Sequence, residues 1–249
     1  MQLPDILAQL RLNRDFMSQA VAWEKFPAQP ARFQAVETDI DDRIMAALHS
    51  RGVEQFFTHQ AQAIRAVSNH HHTVIATATA SGKSLCYTVP VLQRLLDRPK
   101  GRALYLFPTK ALAHDQLAET AATISAAKLP IDVHTYDGDT PQSRRTQVRR
   151  ANGIVITNPD MLHTGILPYH PTWRDLFANL EFVVLDEIHT YRGVFGSHVA
   201  NVLRRLQRIC AFYGSTPQFI CCSATIANPQ EHAERLTGQK FTLVGEKQN

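Results

Sequence analysis

Short β-branched or apolar runs alternate along this chain with longer amphipathic stretches. The runs of strand length are Thr73–Ala76, Ala103–Phe107, Ile131–His134, Ile154–Thr157, Phe182–Leu185 and Gln218–Cys222. Between them, apolar residues recur at the spacing of amphipathic helices over Leu85–Leu96, Ala113–Ala126 and Val199–Phe212. This alternation predicts an α/β fold, a three-layer sandwich in which helices cover both faces of a mainly parallel central sheet. Ligands of such folds bind where the strands end.

The first 50 residues differ in texture from the rest of the chain. They begin with a short amphipathic helix, which is followed by a Pro- and Gln-containing segment around Phe26–Phe33. We therefore expect an N-terminal accessory arm over residues 1–50 and one larger domain over residues 51–249. With 249 residues and 44% hydrophobic content, the chain can bury a full core.

Composition excludes a membrane protein but does not identify a partner. The longest apolar runs, such as Phe182–Leu185, are far shorter than the roughly 20 residues that span a bilayer. The N-terminus lacks the basic segment and apolar stretch of a secretory signal, so we expect a soluble, cytoplasmic protein with no membrane partner. The net charge of +4 is compatible with a polyanionic partner but also with none.

The cysteines and the histidine run favour no metal site. No C-x-x-C spacing occurs among Cys86, Cys210, Cys221 and Cys222. The adjacent Cys221 and Cys222 would point to opposite faces of a strand, so reduced core cysteines are predicted. His70–His72 precedes the first strand, where a solvated turn is expected rather than three ligands of one ion.

The sequence T-A-T-A-S-G-K-S at Thr77–Ser84 follows a predicted strand and precedes a predicted helix. A P-loop requires this context, because backbone N–H groups and the helix N-terminus then face phosphates. Lys83 would reach the β- and γ-phosphates of ATP, and Ser84 would bind Mg²⁺. The other predicted loop contacts are Thr79, Ala80, Ser81 and Gly82. Thr77 replaces the first glycine of the usual pattern, which leaves a chance G-K-S as the alternative.

Two adjacent carboxylates end the predicted strand Phe182–Leu185. Asp186 would hold Mg²⁺, and Glu187 would orient and deprotonate the water that attacks the γ-phosphate. Alone, the pair would more simply start a turn or cap a helix. A P-loop upstream in the same alternating pattern favours ATP hydrolysis.

Together these motifs resemble those of the DEAD/DEAH-box helicases of superfamily 2, in order from Phe56 to about His232. The resemblance rests on F-F-T-H-Q, P-T-K-A-L-A-H-D-Q, T-Y-D-G-D-T-P, T-N-P-D-M-L-H, D-E-I-H and S-A-T. Finer details, including S-A-T-I-A-N-P, are similar to the bacterial MrfA (YprA) branch of DEXH DNA helicases, which move 3′ to 5′ along single-stranded DNA and are linked to DNA repair. Ala78 departs from this branch, where glycine is expected.

The resemblance implies a RecA-like, P-loop fold over residues 51–249 and the role of first motor domain in an ATP-dependent helicase. It also implies that Gln60 reads adenine beside Phe57, although a buried structural glutamine is the alternative. The resemblance further implies that some residues contact the backbone of single-stranded nucleic acid, DNA rather than RNA. These residues are Thr109, Lys110, Gly138, Asp139, Thr140 and Arg144. Each can equally be a turn residue or part of a solvated face. The residues implied to couple the ATP site to a second motor domain are His189, Ser223 and Thr225.

Helicases of this kind use two RecA-like domains, and arginines of the second reach the γ-phosphate. The chain ends at Asn249, so we expect the second domain in a longer protein or a separate chain. Without its arginines, ATP hydrolysis would be slower by a factor on the order of 10³ to 10⁵. The alternatives are a non-catalytic nucleic-acid-binding fragment, an RNA helicase domain and a P-loop ATPase unrelated to nucleic acid.

Overall fold

The computed structural model describes residues 3–24, 30–78 and 81–245. The chain divides into two units, residues 1–32 and residues 33–249. In the first unit, helix α1 (Leu3–Leu12) is followed by α2 (Arg14–Gln19). The Asn13 side chain caps α2 by accepting the N–H of Phe16 at 3.0 Å. Neither helix has a buried residue, so these two helices contribute nothing to a core.

The second unit is built on a seven-stranded sheet with the strand order β3-β4-β2-β5-β6-β1-β7, in which every pairing is parallel. The strands are β1 (Thr73–Ala76), β2 (Arg102–Leu106), β3 (Asp132–Thr135), β4 (Gly153–Thr157), β5 (Leu180–Leu185), β6 (Gln218–Ser223) and β7 (Thr242–Gly245). The α-helices are α3 (Asp42–Ser50), α4 (Thr58–Ser68), α5 (Lys83–Asp97), α6 (Lys110–Ala126), α7 (Gln142–Arg150), α8 (Pro159–Met161), α9 (Arg174–Ala178), α10 (Gly193–Phe212) and α11 (Pro229–Thr237). Helical turns at Leu162–Ile166, Leu167–Trp173 and Ile188–Thr190 complete the unit. The predicted α/β fold with a mainly parallel sheet is confirmed.

Alternating residues of the five inner strands supply two hydrophobic cores, one on each face of the sheet. One core joins residues such as Tyr105 and Cys222 to α3, α4, α5 and α6. The other joins residues such as Leu104 and Cys221 to the helices from α7 to α11. The predicted opposite orientation of the adjacent cysteines is thus confirmed, and all four cysteines are buried and free.

Strand positions were predictable to within about two residues, but β7 and several helices were not predicted. β7 is a short edge strand whose first two residues are exposed, so it lacks the apolar signal of the inner strands. Helix α3, which the sequence grouped with the N-terminal arm, contributes Ile44, Ala47 and Leu48 to the core of the larger unit.

The histidine run is only partly a solvated turn. His70 is exposed, with a left-handed φ of 61°. His72 instead packs against the rings of Phe219 and Phe241, and its Nδ1 accepts the N–H of Phe219 at 2.9 Å. Burial lowers the pKa of His72. No cluster of three or more His, Cys, Asp or Glu suited to a metal ion occurs in the described residues.

None of the helices within residues 3–24, 30–78 and 81–245 is long and apolar enough to cross a membrane.

Candidate active site

The candidate catalytic residues gather at the edge of the sheet where the parallel strands end. The P-loop follows β1, Asp186 follows β5, and Ser223 is the last residue of β6, which lies between them. Ala76 at the end of β1 is paired in register with Ser223. The backbone N–H of Asp186 continues the ladder by donating to the carbonyl of Leu106 at 3.0 Å. Strand order therefore brings together three motifs that are far apart in sequence.

In the P-loop, Lys83 is the first residue of α5. Its Nζ donates to the carbonyl oxygens of Thr77 at 3.2 Å and Ala78 at 2.9 Å. The hydroxyls of Thr77 and Ser81 are 2.7 Å apart. Thr79 and Ala80, predicted as phosphate contacts, lie outside the described residues. The ammonium is thus directed into the loop whose N–H groups would receive phosphate.

Gly82 and Gln60 approach closely at the start of α5. Gly82 has a left-handed φ of 74°, and a Cβ there would lie 2.6 Å from Nε2 of Gln60. Gln60 is only 2% exposed. Its Oε1 accepts the N–H of Phe57 at 2.9 Å, and its Nε2 donates to the carbonyl of Gly82 at 3.0 Å. This is the structural role considered as the alternative, and it leaves one N–H of the amide and one lone pair for a base.

Aromatic rings are stacked beside this contact. Phe33 and Phe57 have ring centroids 5.2 Å apart, and Phe57 and His59 have centroids 5.8 Å apart, both in stacked geometry. Nε2 of His59 lies 3.0 Å from the carbonyl oxygen of Ser81. Phe57 was predicted as a binding residue from sequence, whereas Phe33 and His59 were not. Phe33 reaches Phe57 through an isolated antiparallel bridge, for which local sequence gives no signal.

Asp186 is held from two sides. Its Oδ1 accepts the N–H of Glu187 at 2.7 Å, and its Oδ2 accepts the hydroxyl of Tyr87 at 3.1 Å. Burial nevertheless raises the pKa of Asp186 above its usual value. Glu187 has a left-handed φ of 52°, a conformation that is uncommon for a residue with a side chain and is enriched at active sites. The two adjacent carboxylates have different partners, since Asp186 accepts from Tyr87 whereas Oε2 of Glu187 lies 3.0 Å from Nδ1 of His189.

Oxygen ligands suited to Mg²⁺ are present at this edge. They are the hydroxyl of Ser84 and the carboxylate of Asp186, both hard donors of the kind this ion prefers. The Ser84 hydroxyl also donates to Oε1 of Glu119 on α6, 3.2 Å away. Glu119 was not identified from sequence, because it lies in mid-helix with no motif around it.

The residues predicted to couple the site outward differ in their surroundings. Nδ1 of His189 lies 3.0 Å from Oε2 of Glu187 and 3.2 Å from the N–H of Ala224. Because this nitrogen carries either a proton or a lone pair, it serves only one of the two at a time. The hydroxyl of Ser223 is buried and has no hydrogen-bond partner among the described residues, whereas Thr225 is exposed.

Some of the residues predicted to contact a nucleic-acid strand lie together where α6 begins, namely Thr109, Lys110, Gly138 and Asp139. Thr109 caps α6 by accepting the N–H of Leu112 at 3.3 Å. Nζ of Lys110 pairs with Asp139 at 2.6 Å, in the loop after β3. A Cβ at Gly138 would lie 3.8 Å from the same Nζ.

Asp137, which was not predicted as a site residue, organises that loop. Its Oδ1 accepts the N–H of Asp139 at 2.9 Å and the hydroxyl of Thr140 at 3.1 Å. Its Oδ2 lies 3.2 Å from Nε2 of His114. Burial tends to raise the pKa of Asp137, but these hydrogen bonds from His114, Thr140 and Asp139 outweigh it and lower the pKa.

The arginines after this loop fall into two pairs. Arg145 lies 5.5 Å from the ring of Tyr136, and Arg149 lies 6.0 Å from the ring of Trp173. Arg144 and Arg150 are exposed. The structure therefore leaves Arg144, the predicted strand contact, open to solvent.

Comparison with known proteins gives consistent matches. The sequence model of DEAD/DEAH box helicases matches residues 57–232. The uncharacterized ATP-dependent helicase YprA of Bacillus subtilis (strain 168) is 52% identical over 242 residues, which are 97% of this chain and 32% of that protein. The crystal structure of the DUF1998 helicase MrfA bound to DNA and AMPPNP superposes with a TM-score of 0.92 at 51% identity, over 99% of this chain and 34% of that one.

A more distant structure is informative about the fold alone. The DEAD box protein from the hyperthermophile Methanococcus jannaschii superposes with a TM-score of 0.67 at 18% identity, over 85% of this chain and 55% of that one. The predicted RecA-like fold is thereby confirmed. The chain spans 32% of the length of YprA and 34% of the MrfA chain.

Proposed function

The chain belongs to the DEAD/DEAH box helicase family, and from this premise we propose that it is the first motor domain of an ATP-dependent DNA helicase. The observation that carries the proposal is the convergence of the P-loop, Asp186 and Ser223 on one edge of the sheet. We propose that it hydrolyses ATP together with a second RecA-like domain. The resemblance to the MrfA branch supports 3′ to 5′ movement on single-stranded DNA and a role in DNA repair.

The reaction assigned to the chain is transfer of the γ-phosphoryl group of ATP to water, which breaks the bond between the β- and γ-phosphates and releases ADP. Bound Mg²⁺–ATP would supply that group and a cation that neutralises part of its charge. The ammonium of Lys83 binds the phosphates, and Ser84 and Asp186 hold the cation. Glu187 orients the attacking water and accepts its proton.

His189 and Ser223 carry the state of this site outward. Nδ1 of His189 is 3.0 Å from Glu187 and 3.2 Å from the Ala224 N–H, so it can bond either to the catalytic carboxylate or to the segment after β6, according to whether it carries a proton. The buried hydroxyl of Ser223 has an unused donor, which a group arriving at the edge can satisfy. We propose that, with the exposed Thr225, these residues report hydrolysis to the second motor domain.

The adenine base is assigned to the stacked rings of Phe33 and Phe57. Phe33 is 52% exposed, so one face is available for stacking, and Gln60 keeps one amide N–H and one lone pair. Replacement of Phe33 by Ala would weaken ATP binding by about 1 kcal/mol or more, the scale of one aromatic stack. A base-free triphosphate would bind both proteins equally in competition assays.

We assign the binding of single-stranded nucleic acid to the start of α6 and the loop after β3. Thr109, Lys110, Gly138, Thr140 and Arg144 offer hydroxyl, N–H and cationic groups that suit a sugar-phosphate backbone. Asp139 would release Lys110 to a phosphate. The solved structure of MrfA with DNA, at 51% identity, supports DNA as the polymer.

The decisive experiment measures ATPase activity of this chain joined to a second RecA-like domain, with single-stranded DNA, single-stranded RNA or no polymer. The expected result is stimulation by DNA that weakens with salt, because phosphate contacts release counterions. Stimulation by RNA alone would instead identify an RNA helicase domain. Absence of turnover with every polymer would indicate a non-catalytic binding fragment.

Glu187→Gln is the matched test of the catalytic assignment. It is expected to keep nucleotide binding and to abolish the DNA-stimulated turnover, since the amide cannot accept the water proton. Turnover retained in this variant would remove Glu187 from the role of base.

A further inference from the structure

A buried chain of polar side chains runs from Asp186 into α6. The hydroxyl of Tyr87 lies 3.1 Å from Oδ2 of Asp186 and 3.0 Å from Oε1 of Gln116. Nε2 of Gln116 donates in turn to the hydroxyl of Thr120 at 3.0 Å. Tyr87 and Thr120 have no exposed surface, and Gln116 is 7% exposed. Polar groups at this depth cost free energy unless they are partnered, so these contacts are part of the folded core.

The Tyr87 hydroxyl faces two acceptors with a single proton. A tyrosine hydroxyl donates one hydrogen bond, so the proton serves either the carboxylate of Asp186 or the amide oxygen of Gln116. An ionised carboxylate is the stronger acceptor and holds the proton. A cation bound to Asp186 takes up much of that negative charge, which leaves the proton free to turn to Gln116.

The Tyr87 hydroxyl connects the helix that begins at the P-loop with the helix that begins at the proposed nucleic-acid contacts. Tyr87 lies one turn after Lys83 on α5, the helix that begins at the P-loop. Gln116 lies on α6, the helix that begins at Lys110 with Thr109 as its cap. Those two residues are among the groups assigned to the nucleic-acid strand. A change in the Tyr87 contact with Gln116 therefore acts on the helix that carries the strand contacts.

We propose that Tyr87 is a positioning residue that couples the magnesium–nucleotide site at Asp186 to the strand-binding helix α6 through Gln116. This proposal rests on the proposed function. With the cation on Asp186, the hydroxyl donates to Gln116 and ties α6 to α5. Without it, the hydroxyl donates to Asp186 and that tie is weaker.

Tyr105 provides a matched control inside the same core. Its ring makes an edge contact with Tyr87, with centroids 5.4 Å apart, and it has no exposed surface. No hydrogen bond joins its hydroxyl to Asp186 or Gln116 among the described residues. Removing either hydroxyl is the same chemical change in the same cluster, but only the Tyr87 hydroxyl contacts Asp186 and Gln116.

The experiment measures the affinity of a fluorescent, non-hydrolysable ATP analogue with magnesium, with and without single-stranded DNA. It compares the wild type, Tyr87→Phe, Gln116→Met and Tyr105→Phe, each joined to the second RecA-like domain. The coupling is the affinity for the analogue with DNA divided by the affinity without DNA. A direct effect of a substitution on nucleotide binding cancels in this ratio. We expect Tyr87→Phe and Gln116→Met to lower this ratio by about two- to tenfold, the scale of one hydrogen bond. Tyr105→Phe is expected to keep it.

Hydrogen exchange of α6 gives a readout that does not depend on turnover. In the wild type, magnesium and the analogue should slow exchange of the α6 amides, and in Tyr87→Phe this protection should be lost while thermal unfolding still shows a folded protein. If the coupling survived in Tyr87→Phe, or fell equally in Tyr105→Phe, the role of Tyr87 would be overturned while the proposed function would stand. If single-stranded DNA did not change the nucleotide affinity of the wild type, both the proposed function and the coupling through Tyr87 would be overturned.

Discussion

Nε2 of Gln60 donates a hydrogen bond to the carbonyl oxygen of Gly82, 3.0 Å away. This contact joins the first turn of α4 to the residue before Lys83. It also explains why glycine is required at the end of the P-loop. The left-handed φ of 74° and the 2.6 Å gap to Gln60 both disfavour a side chain at position 82.

Gly82→Ala is therefore expected to impair nucleotide binding. Left-handed backbone costs a residue with a Cβ roughly 1–2 kcal/mol, and here the methyl group also displaces the Gln60 amide. Gly238→Ala is the matched control, because Gly238 has the same φ of 74° but no atom within 4 Å of a new Cβ. Both variants should unfold at lower temperature, and only Gly82→Ala should lose affinity for ATP by calorimetric titration. Equal affinities would show that the Gln60 contact is irrelevant to the site.

Asp186→Asn is expected to stabilise the metal-free protein at pH 7. Burial raises the pKa of Asp186 above 3.8, so the folded state binds the proton more tightly than the unfolded state. Stability is then lost as pH rises from the unfolded pKa through the folded pKa, and it stays lost at neutral pH. The amide removes this cost, and each kcal/mol recovered should raise Tm by about 2–4 °C.

Asp137→Asn tests the sign of this argument. Hydrogen bonds from His114, Thr140 and Asp139 lower the pKa of Asp137, so its ionised form stabilises the fold above the unfolded pKa and the effect is lost in acid. The variant should therefore melt at lower temperature at pH 7. A fall in Tm for Asp186→Asn would contradict the burial argument.

Ser223→Ala should leave the fold intact or stabilise it. The buried Ser223 hydroxyl has no hydrogen-bond partner among the described residues, so its removal relieves an unmet donor worth about 1–3 kcal/mol. Ser215→Ala is the comparison, since the Ser215 hydroxyl donates to the carbonyl of Phe177. That variant should lose about 1 kcal/mol in urea unfolding. If Ser223→Ala were the less stable of the two, the hydroxyl would be structural rather than reserved for coupling.

The pair of Lys110 and Asp139 should control affinity for the strand. Lys110→Gln should weaken binding of a fluorescent single-stranded oligonucleotide and reduce the salt dependence of log K by about one phosphate contact. Asp139→Asn should strengthen binding, because it removes the carboxylate that holds the ammonium at 2.6 Å. Weaker binding of Asp139→Asn would instead mean that Asp139 positions Lys110 for the strand.

Local sequence was sufficient for the alternating elements and for the P-loop and carboxylate motifs. The strand runs have β-branched and apolar residues at strand length, and G-K-S and D-E sit directly at strand ends, so the chemistry is encoded within a few neighbouring residues. Motif order then carried the family assignment.

Tertiary structure alone decided which distant groups meet. The strand order places β6 between β5 and β1, so Ser223 lies between the P-loop and Asp186. Phe33 against Phe57, Glu119 against Ser84, and Tyr87 between Asp186 and Gln116 are contacts between elements far apart in the chain. Hydrophobic periodicity shows which face of an element is buried, but its partner depends on how the layers pack, and no local pattern records that.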